Sequence, residues 1–280
     1  MRRTERPRPE RAALATKHGK EALFGPPFAA IGWDTVVAPF DTDRFGTFSG
    51  EIDRPGTPRS VVVSKARAGA EAAGLPVGLA SEGSFGSHPT VPFAVVDEEL
   101  VAWVDTTCDH VVIERAAAIS TVPPAATVAA PDDVASLRVV SSFPDQAAIV
   151  VHEHDEGRHV VAKGITDLLA LHLAVEEALG RPDGRVVVEP DLRSHLCPDR
   201  RTVIATAVER LAARIDSRCT ECGARGPGPI RSRAGLPCAL CGLPTTCTAA
   251  DVIGCTRCGH EYERVRNGAA DPTHCDRCNP

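Results

Sequence analysis

The sequence predicts an α/β domain, a mixed sheet with flanking helices, followed by a small zinc-ribbon module. Short apolar runs alternate with helical patterns up to residue 216, and this order is typical of an α/β layer. The aliphatic content then falls and cysteine pairs take over, so we place a boundary between residues 11–216 and 217–280. Residues 1–10 are basic and proline-rich, which predicts a disordered leader.

Composition narrows the class of protein. The chain has 280 residues, 43% of them hydrophobic, and a net charge of −6, which argues against a general nucleic-acid binder. No apolar run is long enough for a membrane span, and no apolar segment follows the basic start as in a signal peptide. Eight of the eleven cysteines form Cys-x-x-Cys pairs, so we expect reduced thiolates and a cytoplasmic location.

Helices and strands are predicted from apolar spacing and from glycine and proline. Residues 60–73 carry small and apolar residues at helical spacing, with Ser60 as the expected cap and Gly74 as the stop. Gly25-Pro26-Pro27 is expected to end any helix begun at Lys20. Strands are predicted at 11–16, 34–38, 75–80, 93–96, 99–104, 110–114, 137–142, 147–152, 158–162 and 185–189, and further helices at 165–179 and 199–215.

The last 62 residues contain four Cys-x-x-Cys knuckles. Two intervening residues let both sulfurs of a pair approach one ion from a tight turn, and two pairs complete a closed tetrahedral site. Gly223, Gly242 and Gly259 follow three of the pairs, where the turn favours a positive φ. The sequence therefore predicts two structural zinc ions, in preference to disulfides or an iron–sulfur cluster. The eight predicted ligands are Cys219, Cys222, Cys238, Cys241, Cys255, Cys258, Cys275 and Cys278.

The partnering of the knuckles is open at this stage. Sequential pairing (first with second, third with fourth) matches common ribbon spacing, and a nested pairing is also geometrically possible. His260 and His274 adjoin knuckles, but four thiolates fill each site, so we expect them to be neighbours and not ligands. The other three cysteines, Cys108, Cys197 and Cys247, are interpreted as free thiols.

Three polar segments in the first part of the chain are candidates for a ligand site. Residues 15–20 form a glycine-containing loop with two lysines after a strand, where α/β sheets bind phosphate; the alternative is a solvated loop. Three carboxylates in residues 41–51 are suited to Mg²⁺; the alternative is an ordinary exposed loop. Glu82 follows a strand amid serine and glycine, a placement typical of a general base or metal ligand, or simply of a turn.

These segments, in order, resemble motifs of a known superfamily. Thr16 and Lys20 stand in the first, Glu51 with Gly56-Thr57 in the second, Lys65-Ala66 on a helix in the third; Gly74-Leu75-Pro76 and Ala80-Ser81-Glu82-Gly83-Ser84-Phe85 complete the series. Residues 11–86 thereby resemble the inosine-triphosphate pyrophosphatases, which are nucleotide hydrolases. The whole chain also resembles an uncharacterised bacterial family with the same Ser-Glu-Gly-Ser-Phe-Gly motif and a cysteine tail.

The resemblance implies roles for individual residues. Lys20 and Lys65 would bind phosphates beside Thr16, Glu51 and Glu82 would hold Mg²⁺, and Glu82 would activate water. Arg193-Ser194-His195 resembles the superfamily's base-recognition segment, so Arg193 and His195 join the candidates. The alternative function is a non-catalytic nucleotide-binding protein whose zinc tail docks a protein or nucleic-acid partner. Since parallel strands deliver their loops to one edge of a sheet, we expect the lysines and glutamates to share one cleft.

Overall fold

A computed structural model describes residues 9–17, 19–47, 51–155 and 157–280. Two compact units are present: the first holds the described residues up to Asp109 together with Ile113–Arg210, and the second holds His110–Val112 and Leu211–Pro280. Autonomous folding on either side of residue 217 stays a prediction. The predicted leader lies outside the described residues, except that Pro9 is described and the first strand begins at Glu10.

The first sheet is mixed and has the order β2-β1-β3-β4-β5. β1 pairs in parallel with both β2 and β3, and β4 runs antiparallel to β3. Indole rings of Trp33 and Trp103 meet edge to face, with their centroids 6.1 Å apart. The strands are β1 (Glu10–Ala15), β2 (Trp33–Val37), β3 (Val77–Ser87), β4 (Val95–Asp105) and β5 (His110–Ile119).

Helix α1 (Glu21–Ala30) contradicts one prediction, because Pro26 and Pro27 lie inside it and do not end it. Each proline removes a backbone donor and disfavours a helix interior. Phe24 and Phe28 are fully buried and their rings stack 6.2 Å apart, so apolar burial outweighs the local cost. Tertiary packing thus keeps this helix intact where local propensity predicts a stop.

Helix α2 (Pro58–Ala73) begins directly after its cap, which is Thr57 and not the expected Ser60. Thr57 accepts a hydrogen bond from the Ser60 backbone N–H, and Gly74 ends the helix with φ 62° as predicted. The helix backbone packs closely against β3: a Cβ on Gly78 would lie 1.8 Å from the carbonyl oxygen of Ala66. Glycine at this position lets α2 approach the sheet and places Lys65 near the strand ends.

The second sheet is antiparallel, with the order β6-β9-β7-β8. Helix α3 (Leu168–Leu179) covers it with Leu171 and Val175, which are fully buried, whereas Leu168 and Leu169 are exposed. The four strands are β6 (Ala126–Val128), β7 (Ala148–His154), β8 (Gly157–Ile165) and β9 (Arg185–Pro190).

The prediction of a strand at 137–142 is wrong. A 3-10 helix occupies Arg138–Ser142 there, and its backbone bonds are local, as in Phe143 N–H donating to the Val140 carbonyl. Another 3-10 helix spans Pro131–Ser136. The apolar residue Val139 still packs into the core of the second sheet, so the sequence pattern reported burial correctly and the backbone conformation incorrectly.

The long helix α4 (Pro198–Asp216) precedes the cysteine region. There three antiparallel strands form a meander, in the order β10 (Gly228–Ala234), β11 (Thr248–Gly254) and β12 (Glu261–Val265). Two arginines of β10 reach across β11 to two glutamates of β12, Arg231 to Glu261 and Arg233 to Glu263. Among the described helices, none combines the length and apolarity needed to cross a bilayer.

Candidate functional site

The eight predicted cysteines gather into two tetrads. Cys219, Cys222, Cys255 and Cys258 form the first, and Cys238, Cys241, Cys275 and Cys278 form the second. Within each tetrad every sulfur lies within 4.8 Å of the others, and sulfurs from different knuckles approach to 3.6–3.9 Å. A Zn–S bond of about 2.3 Å gives a tetrahedron edge of about 3.8 Å, whereas a disulfide needs about 2.05 Å. The donor sets therefore fit zinc.

Neither expected pairing of the knuckles is correct, because the tetrads interleave: first with third, second with fourth. Strand direction is the reason. The third knuckle follows β11 directly, and Gly254 at the end of β11 pairs with Gly228 at the start of β10, near the first knuckle. The second and fourth knuckles follow β10 and β12, whose ends both flank the beginning of β11. The meander therefore delivers alternate knuckles to opposite ends.

Three knuckles share one turn geometry. In each, the first cysteine accepts at its carbonyl from the glycine N–H four residues later, at 2.9–3.0 Å. Gly223, Gly242 and Gly259 have φ of 71°, 72° and 73°, as predicted for the turn. In the fourth knuckle Asn279 takes the glycine position and donates to the Cys275 carbonyl at 2.9 Å.

In the first and second knuckles, the backbone favours a thiolate at the first cysteine. Backbone N–H groups of Cys222 and Glu221 lower the pKa of Cys219 to about 6. The N–H groups of Cys241 and Leu240 act in the same way on Cys238 and lower its pKa to about 7. Because zinc binds thiolates, these donors prepare one ligand of each tetrad. Four thiolates on one zinc ion would leave no open position for water. Such sites are structural.

A cavity of about 330 Å³ opens beyond the carboxyl end of β1. The last paired residues of β1 and β3 are Ala15 and Ala80, so Ser81 and Glu82 continue past the end of β1 and face the loop that leads to Lys20. Ten charged side chains line the wall, seven of them cationic. They are Lys17, Lys20, Arg54, Lys65, Lys163, Arg193 and Arg200, with Asp43, Glu51 and Glu82.

Six of the seven residues proposed for a ligand site line this one cavity, and their roles stay predictions. They are Thr16, Lys20, Glu51, Lys65, Glu82 and Arg193. His195 does not line the wall; its Cβ lies beside Gly19 in the loop after β1, and burial with the neighbouring Arg193 charge lowers its pKa. The structure therefore brings the lysines and glutamates of separate motifs to one place.

Glu82 lies within β3, which continues for five residues beyond it, and not in a turn. The carboxylate is buried, with Lys65 Nζ 2.6 Å from one oxygen and Arg54 Nε 2.8 Å from the other. Arg54 also donates to the Gly83 carbonyl at 2.6 Å. Glu82 therefore serves in this conformation as an anchor for two cations.

The carboxylates proposed for Mg²⁺ are likewise held by lysines. Lys17 contacts both Asp41 and Asp43, and Lys163 contacts Glu51. Residues 48–50 of that loop lie outside the described part of the chain. Among the described residues, only the two cysteine tetrads bring three or more metal-ligating side chains within 4.8 Å of one another, so the geometry lends the magnesium site no support.

Lys20 differs from the other cations of the wall. Its ammonium donates to the Ser81 hydroxyl at 2.8 Å, the one hydrogen bond recorded for it among the described residues. Burial lowers the pKa of Lys20 to about 7, and the neighbouring positive charges of Arg200 and Lys65 act in the same direction. Lys20 therefore loses its proton more readily than an exposed lysine does.

Two arginines of the cavity wall are held in place by buried carboxylates. Arg193 forms a forked contact with the fully buried Asp191, which raises the pKa of Arg193. Arg200 is itself buried, contacts Glu99 and donates to the Leu192 carbonyl at 2.6 Å. Pre-positioned guanidinium groups suit recognition of phosphate or carboxylate, because less side-chain freedom is lost on binding.

Sequence reasoning missed several wall residues. Arg54, Lys163 and Arg200 were not predicted, although Arg200 stands near the start of an amphipathic helix and Lys163 on a hairpin strand. Arg200 and Lys163 contact Glu99 and Glu51, which lie 101 and 112 residues away along the chain. Arg54 donates to the Gly83 carbonyl, 29 residues away. A single arginine on a helix carries no local signal for such a partner.

The chain is thus an α/β protein with a basic cavity and two cysteine tetrads, each of which could hold a metal ion. It belongs to the family described as a domain of unknown function (DUF6671), whose family model matches residues 65–280. The match begins at Lys65, so it contains Glu82 and both tetrads and leaves the loop at Thr16–Lys20 outside. A search of curated proteins and a search of solved structures found no match.

Proposed function

We propose that the basic cavity binds a ligand bearing two or more phosphate groups, with a nucleoside polyphosphate as the favoured class. The observation that carries this proposal is the wall itself, where seven cationic side chains face three carboxylates. Several cations that converge in a partly closed cavity attract a multiply charged anion, because a lower local dielectric constant strengthens each electrostatic attraction.

The ion pairs of the wall leave positive charge in excess. Glu82 alone serves both Lys65 and Arg54, so one carboxylate neutralises two cations. Lys20 donates to a hydroxyl and not to a carboxylate. Glu99 and Asp191 balance Arg200 and Arg193 from behind the wall. An incoming phosphate chain would meet the unbalanced part of the wall, formed by Lys20, Lys65 and Arg54.

A nucleoside, and not only inorganic polyphosphate, is favoured by two further features. A volume of about 330 Å³ is at the lower end for small-molecule sites, enough for a phosphate chain with a small attached group. Arg193 and Ser194 line the wall, and they belong to the segment that resembles a base-recognition motif. In this proposal the cysteine module holds two structural zinc ions and binds a protein or nucleic-acid partner through its strands.

Hydrolysis is the second candidate, as a magnesium-dependent pyrophosphatase. The supporting observation is that Glu51 and Glu82 share the wall with Lys20 and Lys65, as the resemblance implies. Both carboxylates contact cations, so Mg²⁺ with its phosphates would have to replace those ion pairs. Under this proposal Glu82→Gln keeps nucleotide binding and abolishes pyrophosphate release, measured with Mg²⁺ and a panel of nucleoside triphosphates.

Calorimetric titration with inorganic tripolyphosphate tests the binding proposal. Arg54→Met removes one cation from the unbalanced part of the wall, and loss of a charge-assisted contact should weaken binding about 10- to 100-fold. Arg138→Met is the matched control, because it removes one positive charge from an exposed residue that does not line the cavity. Equal affinities of both variants and wild type, or no saturable binding, would overturn the proposal.

Parallel titrations with nucleoside triphosphates test the ligand class. If Arg193 and its neighbours contact a base, a nucleoside triphosphate should bind more tightly than tripolyphosphate, and Arg193→Met should remove that difference. Equal affinity of the two ligands for wild type would restrict the site to the phosphate chain and contradict the nucleoside assignment.

A further inference from the structure

Ser81 and Lys20 form a close pair on the cavity wall. Ser81 lies on β3 one residue past the last pairing with β1, and Lys20 directly precedes α1. The distance from Lys20 Nζ to Ser81 Oγ is 2.8 Å, and the serine is 4% exposed. Both residues line the cavity, so the hydroxyl is covered by the fold yet faces the space where a ligand would lie.

The surroundings of Lys20 favour its neutral amine. Removal from water penalises the ammonium, and the positive charges of Arg200 and Lys65 add to this, which together bring its pKa to about 7. A lysine whose pKa lies near neutrality can accept a proton from a hydroxyl at hydrogen-bond distance.

We infer that Ser81 is a nucleophile and Lys20 its general base in phosphoryl transfer from a phosphoric anhydride. The inference rests on the proposed function, because that places phosphates in the same cavity. Three observations support it: Lys20 Nζ and Ser81 Oγ are at hydrogen-bond distance, both side chains are covered by the fold, and both line the same cavity. Serine paired with lysine is one of the arrangements in which a neutral amine activates a hydroxyl nucleophile.

The step balances in atoms and electrons. Ser81 Oγ gives its proton to the Lys20 amine and forms a bond to phosphorus, while the bond from phosphorus to the bridging oxygen breaks and the leaving phosphate departs with that electron pair. The Lys20 ammonium then loses its proton to solvent. Water attacks the phosphoserine and gives a proton to Lys20, the phosphorus–Oγ bond breaks, and Oγ recovers a proton from Lys20.

Neighbouring cations suit the transferred group. Lys65 and Arg54 line the same cavity and are held in place by the carboxylate of Glu82, the residue after Ser81. Fixed positive charges near a phosphoryl group stabilise the charge that its oxygens carry in the transition state. Glu82 is a positioning residue in this arrangement, which differs from its expected role as the base.

Labelling with an ethoxy fluorophosphonate tests the pair, since this reagent phosphonylates activated serines. We expect tandem mass spectrometry to locate the label on Ser81, at a rate that rises with pH through about 7 as Lys20 loses its proton. Lys20→Arg keeps a positive charge but removes the base, so labelling should slow about 100-fold. Ser84→Ala, on the same strand and outside the cavity wall, should leave labelling of Ser81 unchanged.

Titration with tripolyphosphate separates this inference from the proposed function. If wild type binds tripolyphosphate and Ser81 stays unlabelled, or is labelled equally fast in Lys20→Arg, the nucleophile pair is overturned and the binding proposal stands. If tripolyphosphate does not bind, the proposed function fails, whatever the labelling shows. Circular dichroism of each variant establishes that the fold is retained, so a loss of labelling reports chemistry.

Discussion

The cysteine tetrads and the basic cavity gather their residues in opposite ways. Each tetrad combines two short motifs whose members lie three residues apart, so local sequence names every ligand and strand topology only decides which motifs meet. The cavity collects charged residues from segments spread between Lys17 and Arg200. For the cavity, local sequence motifs predict some of the charged residues, and tertiary packing determines what each of them contacts.

The two regions also differ in how charge is balanced. Each tetrad brings four cysteine sulfurs together, so a metal ion is the natural counter-charge for their thiolates. In the cavity most cations already contact carboxylates, and only the excess around Lys20 and Glu82 is left for a ligand. Metal binding at a tetrad therefore depends on which residue types are present. Anion binding in the cavity depends on the excess of positive over negative charge on its wall.

Double substitutions of cysteine should give the largest effect and test the interleaved pairing. Structural zinc contributes on the order of 10–16 kcal/mol of apparent binding free energy per site, so removing ligands should release the ion and unfold that end of the module. Cys219→Ser with Cys258→Ser affects one tetrad and should leave one zinc per chain. Cys219→Ser with Cys238→Ser affects both and should leave none, as measured by elemental analysis.

The matched pair of variants makes the outcome decisive. Sequential pairing would give the reverse result, since Cys219 and Cys238 would then share an ion and Cys219 and Cys258 would not. Wild type should contain two zinc ions per chain. Fewer than two ions in wild type would contradict the account of the module.

Gly78→Ala should destabilise the first unit strongly. The added methyl group would lie 1.8 Å from the Ala66 carbonyl oxygen, so α2 must move away from β3. Overpacking against a backbone atom should lower the free energy of unfolding by roughly 3 kcal/mol. Gly86→Ala is the control on the same strand, because a Cβ there meets nothing within 4 Å. Equal denaturation midpoints for the two variants would show that α2 does not pack as described.

Asp97 should make stability depend on pH. It is 2% exposed, and neither carboxylate oxygen has a hydrogen-bond partner among the described residues. Burial, with the nearby Glu99 charge, raises the pKa of Asp97 to about 7. Because the folded-state pKa exceeds the unfolded value of about 3.9, its contribution to stability is full below pH 4 and is lost as pH rises to about 7.

Asp97→Asn tests this linkage. The variant cannot ionise, so its free energy of unfolding should exceed that of wild type by roughly 4 kcal/mol at pH 8, and the difference should vanish near pH 4. Urea denaturation at the two pH values measures it. A variant less stable than wild type at pH 8 would show that the ionised Asp97 is well accommodated.

The sequence predicted most elements of the fold, and its errors have physical causes. Spacing of apolar residues identified α2, α3 and α4, and the glycines after the knuckles identified the turns. The helix through Pro26 and Pro27 was missed because burial of Phe24 and Phe28 decides its conformation. Apolar periodicity over a short segment also could not distinguish a strand from the 3-10 helix at Arg138–Ser142.

The candidate site was predictable in its members but not in its contacts. A loop with lysines after a strand indicated Lys20, and a carboxylate near a strand end indicated Glu82. That Glu82 contacts Lys65 and Arg54 follows from the close approach of α2 to β3, which depends on tertiary packing. Likewise the knuckles were evident, and their interleaving required the direction of each strand.

The most direct test of the account measures tripolyphosphate affinity between pH 7 and pH 9. Lys20 has a pKa of about 7 and must be protonated to contact phosphate well, so affinity should be highest near pH 7 and fall by up to about tenfold per pH unit above it. Lys20→Arg stays charged and should show no such decline. One saturable site per chain with this pH dependence is the predicted result; an absence of binding, or an affinity of wild type that is constant from pH 7 to 9, would contradict it.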